Sequence, residues 1–402
     1  MKKYKLAILT AHPIQYQAPL FKKLAKQPEI DLTVYFCWDF GVDRPGYDSG
    51  FGKEIKWDIP LLDGYKYKFL KNYSLKPSES FFGQINFGII KELFQHRYDA
   101  IWIHGYASFT NWLAFFGAKI SRTPILLRGE SHLLTPRPVW RKAVKNILLR
   151  LLFKNISGFL VIGSLNKDYY KYYGVSQNKI FLVPYAVDDC FFKNQYKKWK
   201  SLNNEIRKEL GVKKGEIIIL YVGKIFGAKG PGAFDLLKAF EKLSSNSQSM
   251  AKLVFVGDGK EKPLLEQYVA DNNIRNVIFA GFKNQTELPK YYSVADTLVL
   301  PSYSEQWGLV VNEAMYFGNA IIASKQVGAV YDLVRYGKNG YIFSAGDVAA
   351  LTEIIYNLIN NGNLLKVMQD NSLKIIDKWG LDSCVNGVLT ALRYIKNLDN
   401  KY

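Results

Sequence analysis

Two glutamates, Glu305 and Glu313, lie eight residues apart in the segment LPSYSEQWGLVVNEAM and are the first candidates for chemistry. The segment predicts a strand that ends at Pro301, a turn that holds Glu305, and a helix that begins near Trp307–Gly308. Backbone N–H groups at such a helix start can bind an anion. The two carboxylates could accept hydrogen bonds from sugar hydroxyls and from a vicinal pair of ribose hydroxyls. The alternative makes Glu305 an N-cap and Glu313 a solvated helix residue.

Two lysines upstream could supply the complementary positive charge. Lys224 and Lys229 lie in the glycine-containing segment YVGKIFGAKG, directly after a predicted strand. Cations in a loop of this kind, close to a helix-terminus anion site, can neutralise a phosphate group. The alternative is that both are ordinary surface lysines.

The elements that would position these residues follow an alternation of short apolar strands and amphipathic helices, which is typical of parallel α/β domains. In the first half the sequence predicts a helix at Leu20–Lys26 and strands at Lys5–Thr10, Leu32–Phe36, Ala100–His104, Ile125–Leu127 and Phe159–Ile162. In the second half it predicts strands at Ile217–Val222, Lys252–Val256, Val277–Phe279, Thr297–Leu300 and Ala320–Ala323. The polar, lysine-rich stretch Asp188–Gly215 between them predicts a connection with one short helix.

The alternation predicts two Rossmann-like domains. We expect an N-terminal domain at 1–190 and a C-terminal domain at 200–377, with a last helix at about 378–402 that packs back on the first domain. Ligands of open parallel sheets bind at the carboxyl ends of the strands. The sequence therefore predicts a ligand cleft between the two domains.

The motif segments resemble one known family. SxxEQWGLVVNEAM resembles the E-x7-E motif of the retaining GT-B glycosyltransferases of family four, the group 1 transferases. The same resemblance extends to the segments YVGKIFGAKG and VFVGDGKEKPLLE. It also includes the stretch that leads into the glutamate pair and the stretch that follows it. The resemblance covers residues 215–350 almost continuously. AHPIQYQAPLF, WIHGY and LLRGES in the first half resemble a bacterial and archaeal subset more loosely.

The resemblance implies a GT-B fold in which the C-terminal domain binds a nucleotide-diphosphate sugar and the N-terminal domain binds the acceptor. It implies that Glu305 contacts donor sugar hydroxyls, that Glu313 contacts ribose, and that Lys224 and Lys229 face the diphosphate. Lys224 replaces the commoner Arg and acts as a point charge. The further donor-binding residues that the resemblance implies are Gln306, Trp307, Gly308, Leu309, Phe282 and Gly257. It implies a UDP-sugar, with a GDP-sugar left open, and neither a metal nor another cofactor.

Polar residues of the N-terminal half are candidates for the acceptor side. His12 and Gln15 follow the first strand, where many relatives have a Gly-rich loop, and could face the diphosphate or the acceptor. A turn held by the intervening proline is the alternative. His104 ends another strand, and Glu130 stands where many relatives carry a His, so its carboxylate could act as a base for the acceptor hydroxyl. An Arg128–Glu130 ion pair is the alternative, and the leaving phosphate could itself take the proton.

The charge is concentrated in the first half of the chain. Residues 1–200 hold 31 Lys and Arg against 15 Asp and Glu, while the formal net charge of the whole chain is +19. Residues 137–154 carry six cations and no acid, with an apolar stripe of Trp140, Val144, Ile147, Leu148 and Leu151. This stripe could pack on the sheet while the cations meet an anionic membrane surface. A solvated basic face is the alternative.

The composition excludes several classes of protein. An apolar share of 48% excludes a disordered chain. The scattered Cys37, Cys190 and Cys384 exclude a disulfide scaffold, and the four His show no metal-ligand spacing. No apolar run reaches the roughly 18 residues of a membrane span, and the apolar run that follows the basic start is too short for a signal peptide. We expect a cytoplasmic protein, with peripheral attachment to the inner face of the cell membrane left open.

The sequence thus favours a retaining transferase that moves a hexose-type sugar to a lipid-linked or other anionic cell-surface glycan acceptor during polysaccharide biosynthesis. Another nucleotide-sugar enzyme on the same fold, an epimerase or a synthase, is the alternative. A nucleic-acid-binding protein would explain the charge but leaves the glutamate pair unexplained, so no nucleic acid is expected.

Overall fold

The computed structural model describes residues 3–42, 46–48, 50–134, 139–225, 232–243 and 250–399, with the backbone alone at 139–144 and 398–399. The chain forms two compact units. The first comprises Met1–Gly46, Pro60–Tyr185 and Leu381–Tyr402, and the second comprises Tyr47–Ile59 and Ala186–Gly380.

The strands of the first half are β1 (Tyr4–Thr10), β2 (Ile30–Phe36), β3 (Gly46–Asp48), β4 (Lys53–Ile55), β5 (Lys66–Phe69), β6 (Ala100–His104), β7 (Ile125–Arg128), β8 (Gly158–Val161) and β9 (Ile180–Leu182). Its α-helices are α1 (Ala18–Ala25), α2 (Gly88–His96), α3 (Phe109–Ile120), α4 (Val139–Lys154) and α5 (Ser164–Tyr172). Short 3-10 turns occur at Phe81–Gly83 and Gln177–Lys179.

The strands of the second half are β10 (Ile217–Val222), β11 (Ala251–Val256), β12 (Val277–Gly281), β13 (Thr297–Leu300), β14 (Ala320–Ser324) and β15 (Gly340–Phe343). Its described helices are α6 (Asp189–Lys200), α7 (Asn203–Glu209), α8 (Ala233–Glu241), α9 (Lys262–Asp271), α10 (Leu288–Val294), α11 (Leu309–Tyr316), α12 (Val330–Leu333), α13 (Val348–Asn360), α14 (Gly362–Ile376) and α15 (Leu381–Asp399).

A parallel sheet of order β5-β2-β1-β6-β7-β8-β9 forms the centre of the first unit. Its inner strands are buried on both faces, which is why they appear in the sequence as continuous apolar runs. Helices α2 to α5 contribute Leu93, Phe115, Leu152 and Tyr170 to one core cluster on this sheet. The cluster places α3 and α4 on the same face of this sheet.

The last helix, α15, also belongs to the first unit. The guanidinium of Arg393 lies 3.0 Å from the carboxylate of Glu29, and Lys23 Nζ lies 2.8 Å from Asp382 Oδ1. The buried thiol of Cys384 donates to the carbonyl of Pro184. These contacts attach the end of the chain to elements from its beginning.

A second parallel sheet, of order β12-β11-β10-β13-β14-β15, forms the centre of the second unit. Leu236 and Phe240 of α8 pack with Phe255, Ile322 and Ile355 in its core. The predicted architecture of parallel α/β units is confirmed. The carboxyl ends of β10, β11 and β13 lie at one edge of this sheet, where the candidate residues follow.

The sequence reading was wrong in several details. It assigned 47–59 to the first domain, whereas the structure groups this hairpin of β3 and β4 with the second unit. It expected one short helix in 188–215, where α6 and α7 both occur. It missed β5, β9 and β15, which lie at sheet edges. Edge strands carry more polar and exposed side chains, as Lys66 and Lys68 in β5 show, so they lack the apolar run of a central strand.

Candidate active site

Two glycine loops lie face to face at the edge of the second sheet. A Cβ atom on Gly257 would lie 1.8 Å from the carbonyl oxygen of Gly223, and one on Gly259 would lie 2.1 Å from that of Ile225. The N–H of Ile225 donates to the carbonyl of Asp258 over 2.9 Å. Glycine is therefore required at both positions of the second loop, because any side chain would push the two backbones apart. Gly257, predicted as a donor-binding residue, shapes the loop that holds Lys224.

Lys224 lies in the first of these loops and is not a free surface lysine. Its Nζ lies 2.9 Å from both carboxylate oxygens of Asp48 and 4.9 Å from the ring centre of Phe51. Burial alone would raise the pKa of Asp48, but hydrogen bonds from Lys224 and from the backbone of Phe51 and Gly50 hold that pKa below its usual value. Lys229, the second predicted cation, lies outside the described residues.

Glu305 lies in the turn after β13, and backbone hydrogen bonds fix it there. Its N–H donates to the carbonyl of Gln326 over 3.2 Å, and its own carbonyl accepts from Gly328 over 3.1 Å. Burial and the charge of Glu305 raise the pKa of Tyr221, whose hydroxyl donates to the carbonyl of Lys224 over 2.9 Å. Tyr221 is therefore hydrogen-bonded to the Lys224 loop and lies near the charge of Glu305.

Helix α11 begins at Leu309, one to two residues later than predicted, with Gly308 at its N-cap in the left-handed region at φ 91°. Glu305 is therefore not the N-cap, and that alternative is wrong. The N–H groups of Leu309 and Val310 have no intrahelical acceptor, as at every helix start. Gln306 is exposed beside them. The predicted helix-terminus anion site thus has the backbone geometry it needs.

Glu313 is 1% exposed, so the alternative of a solvated helix residue is wrong. Its Oε2 accepts a hydrogen bond of 2.7 Å from the hydroxyl of Tyr292. Burial raises the pKa of Glu313 to about 7, while Tyr292 and the nearby Gln285 partly counter that rise. Among the described residues, Oε1 makes no hydrogen bond of ordinary geometry. The ribose contact of Glu313 stays a prediction.

Trp307 has a packing function that sequence reasoning missed. The indole is buried, donates from Nε1 to Asn312 Oδ1 over 2.8 Å, and stacks on Trp379 with ring centres 5.7 Å apart. A polar donor on Trp usually finds a partner when it is buried. The ring therefore fixes the turn in front of α11, and only the backbone of Trp307 remains as a ligand candidate.

Phe282 directly follows β12 and contacts the hairpin of β3 and β4. Its ring centre lies 5.0 Å from that of Phe51 in an edge-to-face arrangement and 4.3 Å from Lys53 Nζ. Lys53 also lies 3.0 Å from Asp258 Oδ2. Sequence reasoning missed the hairpin residues because nothing local in them signals a partner so distant in the chain.

In the first unit, His12 and Gln15 lie directly beyond the end of β1. His12 Nδ1 accepts from the indole of Trp38 over 3.2 Å, and the ring packs edge-on against Phe40. Burial lowers the pKa of His12 to about 4, so the imidazole is neutral at neutral pH. Gln15 is buried, and its side-chain oxygen has no hydrogen-bond partner within the described ranges. A polar atom of this kind can receive a ligand group.

His104 and Arg128 are register partners at the ends of β6 and β7. Burial, then the charge of Arg128, lower the pKa of His104 well below its usual value. His104 Nδ1 lies 3.4 Å from Nε2 of Gln17, a residue that the sequence analysis did not single out. Thr10 continues this network, because its hydroxyl donates to Gln17 over 3.0 Å.

Arg128 and Glu130 do not pair with each other in the described structure. The Arg128 guanidinium donates to the carbonyl of Val183 over 2.8 Å and lies above the ring of Trp102. Burial, and then the nearby charge of Glu130, raise the pKa of the Tyr185 hydroxyl, so Tyr185 lies close to this carboxylate. The ion-pair alternative is therefore wrong, and Tyr185 is a second residue near this edge that the sequence did not reveal.

The prediction that the apolar stripe of α4 packs on the sheet is wrong for the described part of the stripe. Ile147, Leu148 and Leu151 are 65%, 55% and 56% exposed, whereas Leu149 and Phe153 are buried in the core. The helix is apolar on two opposite sides, and periodicity alone cannot tell which side meets the sheet. Arg137 lies outside the described residues, and the side chains of 139–144 are not described.

Within the described ranges, no group of three or more His, Cys, Asp or Glu side chains is arranged to hold a metal ion. No described helix combines the length and the apolar character that crossing a bilayer requires.

Parallel sheets in two units, each with polar residues beyond its strand ends, define the GT-B class of α/β proteins, and solved structures agree. Anabaena HepE, solved in complex with UDP, has a TM-score of 0.73 at 17% identity, over 97% of this chain and 99% of that one. This similarity establishes the fold.

Residues 203–375 match the model of the family described as glycosyl transferases group 1. An uncharacterized glycosyltransferase of Methanocaldococcus jannaschii is 28% identical over 221 residues, 55% of this chain and 60% of that protein. A sulfoquinovosyl transferase of Arabidopsis thaliana is 29% identical over 271 residues, 65% of this chain and 50% of that protein. The chain thus spans about half to three fifths of these two relatives' lengths. The resemblance to the group 1 glycosyltransferases found in the sequence is confirmed for residues 203–375.

Proposed function

We propose that this protein transfers a hexose-type sugar from a nucleotide-diphosphate sugar, with retention and without a metal, to a lipid-linked or other cell-surface glycan acceptor. The observation that carries the proposal is the Lys224 loop. It is packed against a second glycine loop and accepts a hydrogen bond from Tyr221, which also lies within reach of the charge of Glu305. A cation, a carboxylate and the start of α11 thereby follow adjacent strands of one sheet.

These groups suit the departure of a diphosphate. Negative charge grows on the leaving group as the glycosidic bond breaks, and a fixed cation stabilises that charge more than it stabilises the bound donor. The N–H groups of Leu309 and Val310 can add hydrogen bonds to phosphate oxygens. Lys224 and these N–H donors would neutralise the charge of the leaving diphosphate without a metal ion. Lys229 is the second predicted cation. Glu305 would hold sugar hydroxyls.

A structural relative supports a UDP-sugar as the donor. HepE was solved with UDP and also with UDP-glucose, at TM-scores of 0.73 and 0.69 to this chain. Retention rests on the sequence resemblance. The anomeric configuration of the product, read by NMR, tests it directly, and an inverted product would contradict it.

On the acceptor side, Glu130 is the proposed base. Its carboxylate lies close to the hydroxyl of Tyr185, whose pKa burial and the charge of Glu130 raise. The pKa of His12, about 4, makes that imidazole a weak base at neutral pH, and the pKa of His104 is lowered as well. The buried guanidinium of Arg128 supplies positive charge nearby, which suits an anionic acceptor.

We also propose that the first unit attaches to an anionic membrane surface. Ile147, Leu148 and Leu151 of α4 are exposed, as are Trp112, Phe116 and Ile120 of the neighbouring α3. The three residues of α3 are spaced i, i+4 and i+8, and the exposed cations Arg150 and Lys154 accompany the apolar residues of α4, which together match an interfacial amphipathic surface. A lipid-linked acceptor would be presented at the same surface.

A nucleotide panel tests the donor half. Wild-type protein and the Lys224→Gln variant are compared by thermal shift and calorimetry with UDP, GDP, UDP-glucose and GDP-mannose. Binding of UDP and UDP-glucose to the wild type, weakened in the variant, is the expected result, because a ligand raises the unfolding temperature in proportion to RT ln(1 + [L]/Kd). Absence of any response to all four compounds would overturn the proposal.

A further inference from the structure

The hairpin Tyr47–Ile59 lies against the Lys224 loop, and we call it the strap. In the chain it is inserted between two segments of the first unit, yet it packs as part of the second. Among the described residues, its strands β3 and β4 pair only with each other. The strap is therefore held in place by side chains and by its contacts with the loops of the second sheet.

The strap encloses the side chain of Lys224. Asp48 holds Nζ with both carboxylate oxygens, each at 2.9 Å, and the ring of Phe51 lies 4.9 Å from the same atom. Gly50 passes so close that a Cβ there would lie 2.5 Å from Lys224 Cδ. The ammonium group thus carries a bidentate acidic partner at the place where the proposed function requires a phosphate.

The rest of the strap is attached to the neighbouring loops. Lys53 lies 3.0 Å from Asp258 and above the ring of Phe282. The side-chain amide of Asn284 donates to the carbonyl of Lys56 over 2.8 Å, and the N–H of Thr286 donates to Asp58 over 3.1 Å. These attachments do not involve Lys224, so the Asp48 contact can break while the strap stays bound to the second unit.

We propose that Asp48 is part of the donor site and sets donor affinity, because its carboxylate competes with the donor's diphosphate for Lys224. This inference rests on the proposed function. A carboxylate and a phosphate are both oxygen anions that suit one lysine ammonium. Two anions that share one cation repel each other, so the donor must displace Asp48 to reach Lys224. The donor therefore gains less from Lys224 than it would gain in a site without Asp48.

The test compares the affinity for UDP in four proteins by calorimetry: wild type, Asp48→Asn, Lys224→Gln and the double variant. Asp48→Asn should bind UDP about tenfold more tightly than wild type, since it removes a competing charge at a half-buried cation. In the Lys224→Gln background the same change should have a clearly smaller effect, because the shared partner is gone and only the direct repulsion between the two anions remains. Uridine, which has no phosphate, should bind wild type and Asp48→Asn equally.

Two controls keep the result interpretable. Glu54→Gln removes the same charge from an exposed position of the strap and should leave UDP affinity unchanged. Asp48→Ala, with its thermal unfolding recorded, replaces Asp48→Asn if that variant does not fold. Unchanged or weaker UDP binding in the Asp48 variants, or an effect of equal size with and without Lys224, would overturn the inference while leaving the proposed function intact. Failure of the wild type and all variants to bind either UDP or GDP would overturn both.

Discussion

The hydroxyl of Tyr292, in α10, donates a 2.7 Å hydrogen bond to Oε2 of Glu313, in α11, inside the second unit. One oxygen of the buried Glu313 carboxyl, Oε2, therefore accepts from a neutral hydroxyl, whereas Oε1 makes no hydrogen bond of ordinary geometry among the described residues. Neighbouring Asn319 donates to the carbonyls of Tyr292 and Ala295 and fixes the end of α10. Glu313 is therefore part of the packing of this unit as well as a candidate ribose ligand.

This burial predicts a pH dependence of stability. The pKa of Glu313 is raised from 4.5 to about 7, chiefly by burial, so the folded protein holds its proton more tightly than the unfolded chain does. The stabilisation is fully present below pH 4.5 and is lost as the pH rises through about 7. It amounts to about 3 kcal/mol at most.

Glu313→Gln should remove this dependence, which is measured from the unfolding temperature between about pH 5 and pH 8. The wild type should lose stability relative to the variant as the pH rises. Glu353→Gln, at an exposed position of α13, is the matched control. If the difference in unfolding temperature between wild type and Glu313→Gln stayed constant across this pH range, the Glu313 carboxyl would not titrate there.

The second prediction concerns Lys224. Lys224→Ala should lower kcat by about 10- to 100-fold and change the KM for the donor less, because the cation acts mainly on charge that develops in the transition state. Lys260→Ala, at an exposed position of the adjacent glycine loop, is the control and should keep wild-type kcat. If Lys224→Ala raised KM and left kcat unchanged, Lys224 would bind ground state and transition state equally, contrary to the leaving-group assignment.

The third prediction concerns the contact between the two glycine loops. Gly257 has φ 145°, and an added Cβ would collide with the carbonyl of Gly223. Gly257→Ala should cost about 2–4 kcal/mol of stability and displace the Lys224 loop, which lowers UDP affinity as well. Gly362→Ala is the control, because nothing lies within 4 Å of a Cβ there. Equal unfolding temperatures for the two variants would contradict the packing argument.

The sequence predicted the central strands well, because burial on both faces leaves a continuous apolar run. Ala100–His104, Ile217–Val222 and Thr297–Leu300 match β6, β10 and β13 residue for residue. The glutamate and lysine segments were located for a similar reason, since glycine and charged residues directly follow such runs. Edge strands such as β5 escaped because their exposed face admits lysine.

Partners distant in the chain could not be predicted. Asp48 and Lys224 are separated by 176 positions, and neither segment contains a signal for the other. Tyr185 and Gln17 likewise acquire their partners only when strand ends meet. The orientation of α4 was wrong for a related reason. Both sides of that helix are apolar, and only the fit of Leu149 and Phe153 into the core decides which one is buried.

The last prediction concerns the exposed side of α4. Replacing Ile147, Leu148 and Leu151 together by Ser should reduce sedimentation with anionic liposomes and leave folding unchanged, because these side chains are already more than half exposed. The expected loss is about 2–3 kcal/mol, from apolar surface that no longer enters the interface. Raising the salt from about 0.05 M to about 0.5 M should release the wild type, because screening shortens to a few ångströms.

The matched control replaces Leu264 and Val367, exposed apolar residues of the second unit, by Ser. This variant should bind the liposomes like the wild type. Liposomes of neutral lipid should bind both proteins weakly, since each cation near an anionic surface contributes about 1 kcal/mol. RNA of matched charge distinguishes the lipid surface from a nucleic acid, because the apolar triple should not alter a phosphate-driven interaction. If the α4 variant lost RNA binding but kept liposome binding, this surface would be assigned to nucleic acid and not to lipid. The donor assignment would survive, because it depends on Lys224 and Glu305 in the other unit.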